Sequence, residues 1–403
     1  MINLLKKKIF NINDVLKICL EQNVPFVSYC LPNNHALTTL VQYKTFPRVI
    51  RNFSDVHEWK GFVIAPFDMK GELPAFILEP DEIITSGHVS EELLRRLKNS
   101  ASSLASFKVT EIYYSTEKDD FMHQVFSIKK EIDKGLYTKV VLSRIMVEPH
   151  VKHIDLALVF EAIRIKYPSA FRYIFNIPGI GCWMGASPEP FILDNENSIE
   201  ITALAGTQKL NDVPLQDLKW NAKELTEQQY VTQYIADTLH KFNISNYTLK
   251  GPFSYAASNV VHLKSVLQLN SESLKYNLGE FIEELYPLPS VAGTPKIKAI
   301  SFINELEQHN REYYTGFLGP MNIDYQTNLF VNLRCMKLTS AASVLYAGAG
   351  ITKDSDAELE WEETNQKLHA MQSVLSETSM NRAYFFKNTN AYEQNNMQSR
   401  KLS

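Results

Sequence analysis

Apolar positions along this 403-residue chain change their period repeatedly, and each change marks an element. Between residues 24 and 78 the β-prone runs PFVSYCL, KGFVIAPF and PAFIL alternate with turn residues, which predicts an antiparallel sheet. Ahead of it, Val15, Leu16, Ile18, Cys19 and Leu20 predict one short helix; after it, Leu93, Leu94 and Leu97 restore helical spacing over 90–106. Residues 119–134 predict a helix that stops at Gly135, where a glycine can take the cap conformation, and TKVVLSRIMVE then reads as a buried strand. Strands FRYIFNI, GCWMGA and SIEITALAG come next, then a long helix over 218–242, a strand region near 260–269, and helices over 278–285 and 297–309. Strands GFLGPMNI, QTNLFVNLRCMKLT and SVLYAGAG precede a last helix over 358–377. Strands in runs with helices inserted predict an α+β fold with antiparallel sheets, not a doubly wound one.

Composition narrows the class. Hydrophobic residues make up 45% of the chain, ample for a large core, and the length calls for two lobes or one large composite fold. With 41 basic and 45 acidic residues, net charge −4 and no dense basic run, nucleic acid is not the expected partner. Cys19, Cys30, Cys182 and Cys335 are scattered, which speaks against a zinc site or disulfide framework and for a reducing cytoplasm. The first residues contain no apolar run long enough for a signal peptide or a membrane span. The polar stretch 381–403 is expected to be a frayed tail. No GxGxxG follows a strand and no GxxxxGK[ST] occurs, so dinucleotide and P-loop chemistry lose their main support.

Several side chains carry candidate chemistry. Lys139 opens the apolar run KVVLSR, where it either snorkels to the surface or serves as a desolvated amine base. Glu189 closes GASPE at a strand exit, either as part of a turn or as a carboxyl aimed into a cleft and able to stay protonated as a general acid. Gly206 and Thr207, after an apolar strand, offer backbone N–H groups and a hydroxyl to a carboxylate. Glu224 and Glu227 form an i, i+3 pair on one helix; Glu360 and Glu363 form another, following the glycines Gly348 and Gly350 and preceding Lys367. Such acidic faces are ordinarily solvated, yet two pairs suit a hard cation, and a turn through the glycines would bring backbone N–H groups to an anion. Arg334, inside the buried-looking strand NLFVNLRCMKL, calls for an anionic partner and is suited to clamp a carboxylate.

Taken together and in order, KVVLSR, GASPE, ALAGT, KELTEQ, PSVAGTPK, YYTGFLGP, NLRCMK and AGAGITKDSDAELEWEET resemble the chorismate-utilising enzymes, the family of isochorismate, salicylate, anthranilate and aminodeoxychorismate synthases. The likeness covers roughly residues 120–375. It implies a large mixed α/β sandwich whose two sheet-and-helix halves flank a central cleft, with 1–118 as a variable N-terminal part of the same composite fold and 119–380 as the chorismate-binding core. Closest are the isochorismate synthases, in which the lysine matching Lys139 activates water for attack on C2 and the glutamate matching Glu189 protonates the departing C4 hydroxyl. The resemblance further implies Mg²⁺ on Glu227 and Glu363, supported through water or from behind by Glu224 and Glu360. Gly206, Thr207, Tyr314, Arg334, Gly348, Gly350 and Lys367 would receive the substrate's carboxylates.

Amine-transferring relatives look different at Lys139, and Ala205 stands where aminodeoxychorismate synthases resemble one another in a nucleophilic lysine. Many isochorismate synthases read HPTPAV where this chain reads YPLPSV, so Tyr286 replaces a histidine and Ser290 an alanine. Salicylate synthases resemble one another in a threonine at the Ser290 position, where a hydroxyl accompanies pyruvate elimination. The expectation is a cytoplasmic, monomeric, Mg²⁺-dependent isochorismate synthase feeding menaquinone or siderophore synthesis, without glutaminase or membrane partner. Salicylate synthase, anthranilate synthase component I and an inactive chorismate-binding scaffold are the alternatives.

Overall fold

The computed structural model describes residues 11–380 except 55, 86–88, 101–111, 151–153, 196, 210–212 and 258–259. The residues expected to form the tail, 381–403, lie outside the described residues, as does the end of the 90–106 segment. The first part contains α1 (Ile12–Glu21), β1 (Phe26–Cys30), β2 (Thr38–Val41), β3 (Arg48–Ile50), β4 (Gly61–Ala65), β5 (Ala75–Leu78), β6 (Glu82–Ile84), α2 (Glu91–Asn99) and α3 (Lys118–Asp133). The middle contains β7 (Lys139–Pro149), α4 (Leu156–Lys166), β8 (Phe171–Ile177), β9 (Gly181–Ser187), β10 (Pro190–Asp194), β11 (Ser198–Lys209), α5 (Ala222–Lys241), β12 (Thr248–Ala257) and β13 (Val260–Asn270). The last part contains α6 (Leu278–Leu285), β14 (Gly293–Thr294), α7 (Lys296–Leu306), β15 (Phe317–Met321), β16 (Thr327–Val331), β17 (Cys335–Leu338), β18 (Ala342–Ile351) and α8 (Ala357–Met380).

Two nine-stranded antiparallel sheets result, ordered β14-β7-β18-β17-β9-β8-β1-β2-β6 and β12-β13-β11-β10-β16-β15-β4-β5-β3. They face each other through an aromatic core in which Phe171 of the first sheet stacks on Phe330 of the second at 4.2 Å. Helices α1, α2, α4 and α8 cover the outer face of the first sheet, and α5 with α6 covers that of the second. With both faces covered, β8 is buried at every position and shows no inside-outside alternation. This is the mixed α+β architecture expected from the order of elements. Strands from the first hundred residues extend both sheets, β1 pairing with β8 and β4 with β15. Gly135, with φ +74°, ends the turn after α3.

The structure departs from the sequence expectation in several places, and α4, β10 and β12 are elements that expectation did not contain. The long helix begins at Ala222, because Asn221 caps it and Glu224 closes a capping box. Helix α7 stops at Leu306, since Glu307 takes an extended backbone and turns its carboxylate to Arg311. The run QTNLFVNLRCMKLT is two strands in different sheets, broken where Arg334 adopts φ +49°. The crossing is held by Asn332, whose side chain donates to the Tyr313 carbonyl at 2.8 Å and accepts from the Tyr173 hydroxyl at 2.5 Å. Gly348 and Gly350 lie within β18, opposite Ser143 and Val141, not in a turn. Among the described residues no helix is long and apolar enough to cross a membrane. All four cysteines are buried free thiols.

Candidate active site

The chain crosses between the sheets at Ser187–Pro188–Glu189, from β9 to β10, and returns at Asn332–Arg334, from β16 to β17. Beside these crossings lies a cavity of about 230 Å³. Its lining includes Lys139, Glu189, Gly206, Glu224, Glu227, Ser290, Tyr314, Arg334, Gly348, Gly350, Glu360, Glu363 and Lys367, every site candidate from the sequence except Thr207. Thr207 lies in β11 opposite His262, and its side chain is outside the described residues.

Lys139 is the first residue of β7, and its ammonium pairs with the Glu227 carboxylate on α5. Glu189 is 5% exposed, and that burial pushes its carboxyl from 4.5 to about 7. Ser290, whose Oγ donates to Glu189 Oε1 at 3.4 Å, and the charges of Lys139 and Lys367 limit the rise. The backbone of Glu189 is fixed on both sides: its N–H donates to Ser187 Oγ at 3.3 Å and its carbonyl accepts from Val331 N–H at 3.0 Å. The carboxyl is therefore held at a sheet crossing, away from the solvated surface.

Lys367 on α8 donates to Glu363 at 2.6 Å and to the Gly348 carbonyl at 2.7 Å. Burial alone would raise the Glu363 carboxyl, but Lys367, Arg334 and Lys139 bring it below its ordinary value. Burial draws the Arg334 guanidinium below the ordinary arginine value, opposed by Tyr314 and Glu363. Tyr314 stacks on Tyr346 with centroids 5.4 Å apart, and burial pushes its phenol up. Arg144 ties α8 to β7: its Nε donates to Thr364 Oγ1 at 2.6 Å and its guanidinium lies 3.7 Å from the Trp361 ring centre.

The four glutamates of the candidate metal set reach one cavity from α5 and α8, and an all-oxygen donor set suits a hard dication. Among the described residues, however, no three ligand-type side chains converge into a ready cluster. Glu227 and Glu363 each turn to a lysine, and Glu224 accepts from the Asn221 N–H at 3.1 Å and from Gln208 at 3.2 Å. Of these, Glu224 has the plainest structural employment, as the partner in the α5 capping box.

The sequence reading did not single out His262, which lines the same cavity from β13. Its Nδ1 lies 3.0 Å from the Gly206 carbonyl, which only accepts, so Nδ1 carries the proton and Nε2 is the accepting nitrogen. Burial pulls this imidazole down to about 4, so it is neutral at neutral pH. The only trace of it in the sequence is a histidine within an otherwise β-prone run. Conversely, Tyr286, the first residue of YPLPSV, is not part of the cavity lining. It packs on Phe191 and Phe317, with ring centres 5.4 and 4.9 Å away, and its hydroxyl has no hydrogen-bond partner among the described residues.

Fold and cavity define a chorismate binding enzyme: the profile of that family matches residues 77–376, and the chain belongs to it. The match begins earlier than the sequence strings alone suggested. Among its relatives, anthranilate synthase component 1 of Bacillus pumilus is 27% identical over 300 residues, covering 72% of this chain and 55% of that protein. Isochorismate synthase MenF of Bacillus subtilis strain 168 is 26% identical over 308 residues, covering 72% of this chain and 64% of that protein. The matches thus span between about half and two thirds of these relatives' lengths. In fold, the chain resembles the menaquinone-specific isochorismate synthase MenF of Escherichia coli, with TM-score 0.69, 21% identity and 92% of each chain covered.

Proposed function

We propose that this protein is an isochorismate synthase, converting chorismate to isochorismate by attack of water at C2 and loss of the C4 hydroxyl. The observation that carries the reading is an amine, Lys139, sharing one cavity with a buried carboxyl, Glu189, whose pKa lies at about 7. Moving a hydroxyl from C4 to C2 with a shift of the ring double bonds needs a base on one side and an acid on the other. Lys139, turning from Glu227, takes the proton of the attacking water, while Glu189 gives its proton to the departing hydroxyl. One proton is taken and one given, so the rearrangement balances. Arg334 and Lys367 meet the substrate's carboxylates, with Gly206, Tyr314, Gly348 and Gly350 shaping that end of the pocket.

Glu227 and Glu363 are the groups that would hold Mg²⁺, with Glu224 and Glu360 behind them. Bound there, the ion supplies charge neutralisation at the ring carboxylate. In this reading residues 1–118 belong to the same composite fold as the core at 119–380. The protein acts as a cytoplasmic monomer without a glutaminase, feeding menaquinone or siderophore synthesis.

Two observations favour other readings. The Bacillus pumilus relative points to anthranilate synthase component I, and the Ser290 hydroxyl beside Glu189 points to salicylate synthase. Chromatography of the products formed from chorismate and Mg²⁺, with and without ammonium, tests all three. Isochorismate without pyruvate is expected. Stoichiometric pyruvate with salicylate would establish the lyase reading, and anthranilate formed only with ammonium would establish the amine-transferring one. No turnover at all would leave a binding scaffold.

A further inference from the structure

Behind the wall of this cavity sits a second polar assembly, centred on Arg311. Arg311 is 3% exposed, its guanidinium lies 4.3 Å from the Phe67 ring centre, and its planar group makes five hydrogen bonds. Nε donates to Glu307 Oε2 at 2.9 Å and Nη2 to Glu307 Oε1 at 2.6 Å. Nη2 also reaches the Val141 carbonyl at 2.6 Å, while Nη1 reaches the Val291 carbonyl at 2.9 Å and Thr315 Oγ1 at 3.3 Å. A guanidinium has five N–H donors, so each has an acceptor. Glu307 in turn accepts from the Ser143 N–H of β7 at 2.6 Å.

The positions of these acceptors give the cluster its significance. Val141 is two residues beyond Lys139 on β7, hence on the same face of that strand, and both line the cavity. Val291 follows Ser290, whose hydroxyl reaches Glu189. One side chain therefore fixes the strand that carries the amine against the loop that contacts the acid. Of the groups assigned to the substrate's carboxylates, the two cations are held elsewhere, Arg334 just before β17 and Lys367 on α8. Tyr314 meets Arg311 through the backbone, its N–H donating to the Arg311 carbonyl at 2.8 Å, a bond that a change of the Arg311 side chain leaves in place.

We propose that Arg311 is a positioning residue for turnover: it sets the separation of Lys139 from the Ser290–Glu189 pair without contributing to substrate binding. This rests on the reading of Lys139 and Glu189 as the proton-transfer groups. Lysine cannot replace it, because an ammonium offers three donors from a point and not a planar fork.

The test compares Arg311→Lys and Arg311→Ala with Arg172→Lys. Arg172 is an equally buried control whose guanidinium bonds the carbonyls of Leu31, Asn34 and Pro168, none of which lines the cavity. With chorismate and Mg²⁺, Arg311→Lys is expected to lose on the order of 100-fold in kcat, because misplacement by about 1 Å can have that effect. KM should stay within about twofold, and Arg172→Lys should keep its kcat even if it melts lower. Guanidinium ion at tens of millimolar should restore part of the turnover of Arg311→Ala. Equal kcat losses in the two lysine variants, or a rise in KM as large as the fall in kcat, would overturn the proposal. If Arg311→Ala does not fold, the lysine variant decides. If the unmodified protein does not turn over chorismate, the functional reading fails separately. A crystal structure of Arg311→Lys then decides the positioning claim: Lys139 and Ser290 shifted relative to Arg334 and Lys367 supports it, and unmoved side chains overturn it.

Discussion

Gly350 makes the room that Lys139 occupies: a Cβ at Gly350 would lie 2.6 Å from Lys139 Cε and 3.1 Å from Nζ. The glycine stands in β18, opposite Val141 of β7, so the aliphatic end of the lysine passes over it toward the cavity. Its contribution is the absence of a side chain at a close approach. Gly350→Ala should leave the fold intact and displace the amine, lowering kcat on the order of 100-fold. Circular dichroism with steady-state kinetics checks this, and an alanine variant of undiminished turnover would refute it.

Lys139 and Glu189 should each be indispensable but for different reasons. Lys139→Ala removes the proposed base and Glu189→Gln the proposed acid, and each should lower kcat by about 100-fold or more. Wild-type turnover in either variant removes that residue from the mechanism.

The pH dependence follows from Glu189. As an acid it must be protonated, so turnover should fall as pH rises through about 7. Ser290 favours the charged carboxylate; Ser290→Ala should raise the Glu189 pKa further and move the alkaline limb to higher pH. Stability carries the same sign. A carboxyl raised above its ordinary 4.5 contributes stability that is fully present below about 4.5 and is lost as pH rises through about 7. Glu189→Gln, neutral throughout, should therefore melt higher than wild type at pH 8 but not at pH 4. Melting curves at the two pH values check it, and a parallel shift at both would contradict the buried-carboxyl assignment.

Mg²⁺ should depend unequally on the four glutamates. Glu363→Gln and Glu227→Gln should raise the Mg²⁺ requirement or abolish turnover. Glu224→Gln should act more weakly on the metal and keep the helix cap, because a glutamine carbonyl still accepts from Asn221 N–H in the capping box, whereas Glu224→Ala should lose that bond and melt lower. Mn²⁺ binding by calorimetry separates these effects, and an unchanged metal affinity in Glu363→Gln would exclude it as a ligand.

Arg334→Lys should raise KM for chorismate more than it lowers kcat, since a lysine loses the planar two-point contact with a carboxylate. The left-handed backbone at this position, φ +49°, is as unfavourable for lysine as for arginine, so the substitution adds no backbone strain of its own. A kcat effect without a KM effect would place Arg334 in the chemistry and not in binding.

Much of this site was legible one string at a time. The helix 278–285 coincides with α6, and the β-branched run after Gly135 is β7. Local periodicity sufficed there because each element buries one face or both against a sheet. His262 was not legible: only the pairing of β13 with β11 brings its ring to the Gly206 carbonyl. Arg311 was equally hidden, because its acceptors Val141, Val291, Glu307 and Thr315 are spread over the chain and meet only after folding.

By itself the sequence determined most of the elements and their antiparallel class, because residue type and spacing are local properties, and with the family resemblance it named about half of the residues that line the cavity. Tertiary structure alone decided that QTNLFVNLRCMKLT breaks at Arg334 and passes from one sheet to the other, placing that arginine beside the Glu189 crossing. It also decided that the glycines of β18 serve Lys139 and the register of a strand, not a turn. The physical reason is the same in each case: a sheet crossing and a close approach are set by which strands pair, and pairing joins residues far apart in the chain.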